Sequence, residues 1–262
     1  MKNAKSFINK HATDYISAVF ANSLRNNGFS CPNDDLLCWY RKKNDEVINS
    51  IIFRSLWPKL PLFLEIGYGI IPFFAMPIQT KSVIYTDYPD EELFVTVPIV
   101  ENYPNGGTKA PFSTDVQVYA PLQGKRGLYT FQTQILPEMD RIKSIQEAYI
   151  FHKNRRLNHP MAKDSPPEKQ LGELSKTFID MSLWVDDREI YHYAVTTICQ
   201  KIHLFEKLTV KFPQRHGYEQ ELEAWKRLQR VFDNNERDCY ISELTKRASK
   251  NSEILQKSFF IT

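Results

Sequence analysis

The chain has 262 residues with 34 basic and 31 acidic side chains, a formal net charge of +3, 42% hydrophobic residues and 13% aromatic residues. A chain of this length can bury a large core without disulfides or metal, and its aromatic content excludes a wholly disordered protein. The small basic excess counts against a dedicated nucleic-acid binder, which needs a one-sided basic surface. Nine glycines are about half the average share, which disfavours folds built on several glycine-rich phosphate loops.

Cysteine usage and the first residues predict a cytoplasmic protein. The four cysteines form no Cys-x-x-Cys pair, so we interpret them as free thiols. The first residues carry charge but no apolar run with a cleavage site, so no signal peptide is predicted. Residues 60–78 have the length of a membrane span, but three prolines and two glycines would break such a helix. We therefore predict a strand with turns there, and no membrane partner.

The N-terminal part predicts a helix followed by an antiparallel sheet. Apolar residues recur at three- and four-residue steps over residues 4–27, and Gly28 stands where a helix C-cap belongs. Two strand-like runs at 36–41 and 46–56 flank a short loop typical of a hairpin, and residues 60–68 alternate with period two. Further strand-like runs follow at residues 82–85, 93–97, 115–119 and 128–134.

From Glu138 onward the apolar spacing is helical, with a capping-box pattern at 165–168 and an aspartate at 186 or 187 placed to cap a following helix. The predicted fold class is α+β: an N-terminal helix packed on an antiparallel sheet of about five to seven strands, followed by a mainly helical C-terminal half. We place the sheet domain at residues 1–137 and the helical region at 138–262. Whether the two share one core stays open.

The order of elements in the first part resembles a known family. A helix ending in Asn27-Gly28-Phe29 is followed by Trp39-Tyr40-Arg41, by Ile51-Ile52-Phe53 and by Phe63-Leu64-Glu65-Ile66-Gly67. This order resembles an uncharacterised bacterial family known only as a domain of unknown function, over about the first 70 residues. The resemblance implies a small α+β domain with a helix on an antiparallel sheet. It implies no activity and no functional residue.

Polar side chains on one face of the predicted sheet are the first candidate site. If the register brings them together, they form a concave surface with an aromatic floor and an Arg–Glu pair, suited to a small ligand or a peptide. A half-exposed sheet face with ordinary cross-strand ion pairs explains the same pattern, and a register slip of one residue reverses every side chain. The predicted members are Trp39, Arg41, Arg54, Glu65, Gln117, Tyr119 and Gln132.

A basic run is the second candidate site. No acidic residue lies between Ala148 and Lys163, and the run contains Lys153, Arg155 and Arg156. These cations are suited to grip a phosphate or an acidic partner. The alternative is a solvated helix end whose cations favour the helix dipole.

Two histidines in the helical half suggest a metal site, which helix geometry rejects. Glu189-x-x-His192 and His203-x-x-Glu206 have the spacing found in di-iron bundles. However, Cys199 and His203 lie roughly 10 and 16 Å from His192 along a helix, which is too far for one metal ion to bind all three. We predict no metal and no cofactor, and place these side chains on a solvated face.

No complete catalytic set stands out, so the leading hypothesis is a non-catalytic binding or protein-interaction module, immunity-like or regulatory, with another protein or a small ligand as its partner. The alternative is an enzyme for a small anionic substrate, with Glu65 as acid or base and Arg41 and Arg54 as anion clamps. This alternative is based on the position of the Glu65 carboxylate inside an apolar strand, where burial raises the pKa of a carboxyl group. Nucleic-acid contact through the basic run is a third hypothesis.

Overall fold

The computed structural model describes residues 16–31, 38–55, 64–75, 94–97, 101–102, 108–109, 128–129, 131–157 and 174–259. The chain divides into two compact units. The first unit comprises Met1–Lys143 with Lys250–Thr262, and the second comprises Ser144–Ser249. The described residues are mostly helical, and together with an antiparallel sheet they make an α+β protein.

The sheet of the first unit has four antiparallel strands in the order β1-β2-β3-β4. The prediction of five to seven strands is wrong for the described residues, because a further pair, β5 and β6, bonds only within itself. The predicted runs at 82–85 and 115–119 lie outside the described residues. The strands are β1 (Cys38–Lys42), β2 (Val47–Ser55), β3 (Leu64–Pro72), β4 (Phe94–Val97), β5 (Glu101–Asn102) and β6 (Thr108–Lys109).

The predicted strand at 128–134 is helical, which removes another strand from the sheet. Phe131–Ile135 is a π-helical stretch that continues as an α-helix over Leu136–Arg141, and we call the whole α2. Phe131 and Ile135, four residues apart, are both buried, whereas the glutamines between them are exposed. The polar residues at every second position suggested a strand, but the apolar residues follow the helical period.

The predicted first helix, α1, is described over Ser17–Ala21, which is π-helical, and Asn22–Asn26. It ends at Gly28 as predicted: Gly28 has φ 79°, and the Phe29 N–H donates to the Leu24 carbonyl at 3.0 Å. This is a Schellman ending, which favours glycine because its φ is positive. The Phe20 ring of α1 packs edge-on against Phe53 of β2 at 5.1 Å.

The predicted hairpin of β1 and β2 is confirmed, and the side chain of Asn44 shapes its loop. Asn44 Oδ1 accepts hydrogen bonds from the backbone N–H groups of Glu46 at 2.8 Å and Val47 at 3.0 Å. Asparagine favours turns by this type of bond. The register that follows pairs Trp39 with Ile51 and Arg41 with Asn49.

The second unit is built from helices. Ser175 caps the helix that begins at Lys176, because its Oγ accepts from the Phe178 N–H at 3.1 Å. Asp187 caps a 3-10 turn at Arg188–Ile190 that leads into the helix beginning at Tyr191, so the predicted aspartate cap is confirmed. The helices are α3 (Ile145–Leu157), α4 (Lys176–Trp184), α5 (Tyr191–Lys211), α6 (His216–Asp233) and α7 (Arg237–Phe259), which runs into the first unit at Lys250.

Side chains from all five helices form the core of the second unit. Phe178 and Tyr149 are both buried, and their rings lie 5.1 Å apart. The Tyr240 hydroxyl donates to the buried Asp180 carboxylate at 2.8 Å, and Arg237 Nε donates to the Leu183 carbonyl at 2.7 Å near the end of α4. Among the described residues, no helix is both long enough and apolar enough to cross a membrane.

Candidate functional site

The predicted sheet-face site does not assemble, because the register divides its members between two faces. Trp39 and Arg41 lie opposite Ile51 and Asn49 and so share a face with them. Arg54 and Glu65 are cross-strand partners of each other on the opposite face; their side chains lie outside the described residues, as do Gln117 and Tyr119 altogether. A ligand therefore cannot touch Trp39 and Glu65 across one sheet face.

Trp39 and Gln132 take roles unlike the predicted ones. Trp39, the proposed aromatic floor, is only 1% exposed, so it belongs to the core. Gln132 is exposed on α2, and its Nε2 donates to Ser23 Oγ at 3.1 Å. Both are fixed by contacts within the first unit and not by a shared surface.

Arg41 is bound inside the first unit. Its Nη2 donates to Asp140 Oδ1 at 2.8 Å, and its Nη1 donates to the Asn27 carbonyl at 3.3 Å. Its guanidinium also lies over the Phe29 ring at 4.7 Å, and its side chain is 11% exposed. A guanidinium held on three sides links β1 to α1 and α2, which is a structural role.

The Asp140 carboxylate binds two cations, Arg41 and Lys43. Lys43 Nζ donates to the same oxygen, Asp140 Oδ1, at 2.8 Å. Burial raises the pKa of Asp140, but the Lys43 hydrogen bond and the charges of Arg41 and Lys43 outweigh burial, so the pKa lies below its usual value. The carboxylate therefore stays ionised near neutral pH and holds α2 against the hairpin.

Opposite Arg41 lies a buried amide that has no hydrogen-bond partner among the described residues. Asn49 is 0% exposed, and within that part of the chain neither its Nδ2 nor its Oδ1 has a partner. Buried amides normally find partners, since an unsatisfied group costs about 1–3 kcal/mol. The sequence gives no sign of this, because Asn49 occupies a core position among apolar strand residues.

Replacing Asn49 by leucine is expected to raise the free energy of unfolding of the first unit by about 1 kcal/mol. The change removes the unsatisfied amide and keeps a similar side-chain volume. Urea denaturation measures the difference. The matched control is Asn44→Leu, which removes a bonded turn amide and is expected to lower the free energy of unfolding by about 1 kcal/mol. A loss of stability in Asn49→Leu as large as that of the control contradicts the prediction.

The basic run is partly neutralised. Lys153 Nζ donates to Asp187 Oδ2 at 2.5 Å and to Glu189 Oε2 at 3.4 Å. Arg155 lies over the Phe151 ring at 5.7 Å, and the side chain of Arg156 lies outside the described residues. A phosphate at this run would have to compete with the Asp187 carboxylate for Lys153.

The side chains that helix geometry rejected as a metal site lie on the surface of α5. His192, Cys199 and His203 are exposed on α5, as the helical spacing predicted. No group of three or more His, Cys, Asp or Glu side chains within the described ranges is placed to hold a metal ion.

Sequence reasoning missed a surface at the turn between α5 and α6. These two helices form an antiparallel hairpin, whose base brings Tyr191 within 5.2 Å of Phe232. Near the base Ile198 and Leu228 are buried, whereas none of the described apolar side chains from Ile202 to Leu222 is buried. The half-buried residues are Ile202, Phe205, Leu208, Phe212, Tyr218 and Leu222.

We call residues 205–218 the hairpin tip. Its aromatic rings contact each other: Tyr218 lies 6.2 Å from Phe205 and 6.3 Å from Phe212. Lys211 Nζ lies 5.3 Å from the Phe212 ring, and the Arg215 guanidinium lies 5.5 Å from the Phe212 ring and 5.9 Å from Tyr218. The tip thus presents half-exposed aromatic rings that carry cations on their faces.

The signal that could have found the tip is the same one that marked the basic run. From Lys207 to Tyr218 the chain has no acidic residue but has two lysines and an arginine. Val210, within that stretch, is 83% exposed, which is unusual for a large apolar side chain. An acid-free stretch between two amphipathic helices predicts an exposed basic turn.

Comparisons with known proteins return no matching family model, no matching curated protein and no matching solved structure.

Proposed function

We propose that the protein is a non-catalytic bacterial protein-interaction module, regulatory or immunity-like, that acts in the cytoplasm and binds another protein through the hairpin tip. The observation that carries the proposal is the change in burial along the hairpin of α5 and α6. Ala194 and Ile198 are buried near its base, whereas Phe205 and Phe212 are half-buried toward the turn.

The residue types at the hairpin tip match those that dominate protein interfaces. Interface cores are enriched in Tyr, Phe and Arg, and a few such residues carry most of the binding free energy. Tyr218 and Arg215 are bonded to each other, since Arg215 Nη1 donates to the Tyr218 hydroxyl at 3.0 Å. Side chains held in this way lose less conformational entropy when a partner binds.

The register supports a binding module over the alternative enzyme. That enzyme needs Arg41 and Arg54 to clamp one anion beside Glu65, but Arg41 lies on the opposite sheet face from Arg54 and Glu65. Arg41 is also held by Asp140. An anion at Glu65 therefore has no contribution from Arg41.

Photo-crosslinking in living cells tests the proposal. A photoreactive amino acid at Val210 is expected to give one dominant adduct with another protein, because that side chain is 83% exposed at the tip. The matched control carries the same amino acid at Val195, which is 41% exposed on the same helix. The adduct partner is then identified by mass spectrometry and purified, and its affinity is measured by calorimetry.

The Phe212→Ala variant should weaken that affinity by about tenfold, as expected for one interface aromatic. Equal adduct yields at positions 210 and 195 contradict the proposal. So does turnover in a hydrolase and phosphatase screen that is lost in Arg54→Ala or Glu65→Ala.

A further inference from the structure

The cations of the hairpin tip differ from three other cations of the second unit, each of which is bound by a carboxylate. Lys153, Lys176 and Arg227 each form an ion pair with a carboxylate of this chain. By contrast, Lys207, Lys211 and Arg215 are exposed, and no carboxylate within the described part of the chain pairs with them. The Glu206 carboxylate, next to Lys207 in sequence, pairs instead with Lys226 at 3.2 Å.

Helix stability does not explain the position of Arg215. This residue occupies the N-cap of α6, where its side chain makes no capping bond. The N-terminal end of a helix carries partial positive charge, so a cation there is unfavourable by about 0.3–1 kcal/mol. Ser, Thr, Asp or Asn is the usual N-cap residue. An arginine that opposes the helix dipole does not stabilise α6 through its charge. Its exposed guanidinium contacts the rings of Phe212 and Tyr218 and is not paired with a carboxylate of the described residues.

From these observations we infer that the partner bound at the hairpin tip presents an acidic protein segment, with several carboxylates flanking an apolar side chain. The inference rests on the proposed function and names its partner class. The carboxylates pair with Lys207, Lys211 and Arg215, and the apolar side chain contacts Val210 and Phe212. Charge complementarity of this kind raises the association rate and fixes the partner's orientation.

A protein segment fits the tip better than a nucleic acid or a membrane. Lys211 lies over the Phe212 ring and Arg215 lies over the Tyr218 ring, and both rings are half-buried, so less ring surface is left for stacking bases. Val210 is the one large apolar side chain of the described tip that is mostly exposed. A single such residue buries too little apolar area to anchor a protein in a bilayer.

Peptide selection on the intact chain tests the inference. The probe is a display library of random peptides of about 16 residues, a length that spans roughly four turns as a helix. Enriched peptides are expected to combine several Asp or Glu residues with an apolar residue. Their affinity should fall steeply between about 50 mM and about 300 mM salt, because exposed charge pairs are screened.

Two double variants with the same change in net charge distinguish binding at the hairpin tip from a general effect of surface charge. Lys211→Glu/Arg215→Glu is expected to weaken binding of a selected peptide by at least about tenfold, whereas Lys246→Glu/Lys250→Glu on α7 should change it by less than about twofold. Circular dichroism confirms that both variants fold. Equal losses in the two variants, or enriched peptides without excess acid, overturn the inference.

Other outcomes of these experiments show whether the acidic partner or the proposed function is wrong. Peptides that depend on Phe212 but not on the cations overturn the acidic partner and leave the proposed function standing. If no peptide depends on the tip and Val210 gives no adduct in cells, the proposed function fails as well. Tighter binding of single-stranded DNA or of phosphatidylserine vesicles, with the same dependence on Lys211 and Arg215, overturns the protein partner.

Discussion

Replacing Trp39 by alanine is expected to lower the free energy of unfolding of the first unit by about 3–5 kcal/mol, the range for large-to-small changes of a buried tryptophan. Trp39 is 1% exposed and lies opposite Ile51 in the sheet. The Arg25 guanidinium lies 5.5 Å from its ring, so the substitution also removes a cation–π contact. Urea denaturation followed by far-UV circular dichroism and by tryptophan fluorescence measures the loss.

The control for Trp39 is another residue of the same predicted site. Gln132 is exposed, and its replacement by alanine should change the free energy of unfolding by less than about 0.5 kcal/mol. If both substitutions change stability by similarly small amounts, Trp39 is not a core residue, and its interpretation as a ligand-binding floor regains support.

Local sequence signals predicted the parts of the first unit that depend on neighbouring residues. Gly28 ends α1 because its positive φ is needed within the last turn, and Asn44 shapes the hairpin loop through bonds to residues two and three positions away. Neither feature depends on distant parts of the chain. Such positions are readable from sequence because the residue type and the backbone conformation are directly linked.

The register between neighbouring strands could not be predicted from local sequence signals. Within β1, Trp39 and Arg41 share a face as alternation requires, but their partners on β2 are odd-numbered, Ile51 and Asn49. The predicted site required a register that brings Arg54 to the same face, whereas the observed register is one residue away from that and places Arg54 on the opposite face. A one-residue change moves a whole strand face from one side of the sheet to the other, so the candidate site could not be assembled from strand patterns alone.

The two acid-free basic stretches show that the sequence also does not reveal which cations are paired with carboxylates in the fold. Lys153 lies in one stretch and finds its acceptor in Asp187, which is 34 residues further along the chain. Lys211 lies in the other and pairs with no carboxylate of the described residues. The sequence presents both as basic runs, and only the tertiary fold separates the neutralised lysine from the exposed one.

Replacing Asp187 by alanine is expected to lower the free energy of unfolding of the second unit by about 2–4 kcal/mol, because two buried or half-buried donors lose their acceptor. The Tyr149 hydroxyl donates to Asp187 Oδ2 at 2.7 Å and Lys153 Nζ donates to it at 2.5 Å. The Asp187 side chain is 15% exposed, so water replaces these bonds only in part. Thermal and urea denaturation measure the effect, and Asp238→Ala, at a 97% exposed side chain, is the control.

The same carboxylate predicts a pH dependence of stability. Burial raises the pKa of Asp187, but hydrogen bonds from Lys153 and Tyr149 and the charge of Lys153 outweigh burial and bring the pKa below its ordinary value. A carboxyl with a lowered pKa in the fold stabilises the protein above its unfolded pKa of about 3.9, and that contribution is lost as the pH falls through the folded pKa. The wild-type chain should therefore lose more stability below about pH 4 than Asp187→Ala does.

The free energy of unfolding is measured as a function of pH for the wild type, for Asp187→Ala and for the control Asp238→Ala. The control should keep the wild-type dependence of stability on pH. Identical slopes for wild type and Asp187→Ala contradict the pairing. The variant also bears on the basic run, since it removes the nearer of the two acceptors of Lys153 and leaves only Glu189, at 3.4 Å. If Lys153 is neutralised by Asp187, inorganic phosphate should bind more tightly to Asp187→Ala than to the wild-type chain. Equal phosphate binding by both would show that the ion pair does not limit access to Lys153.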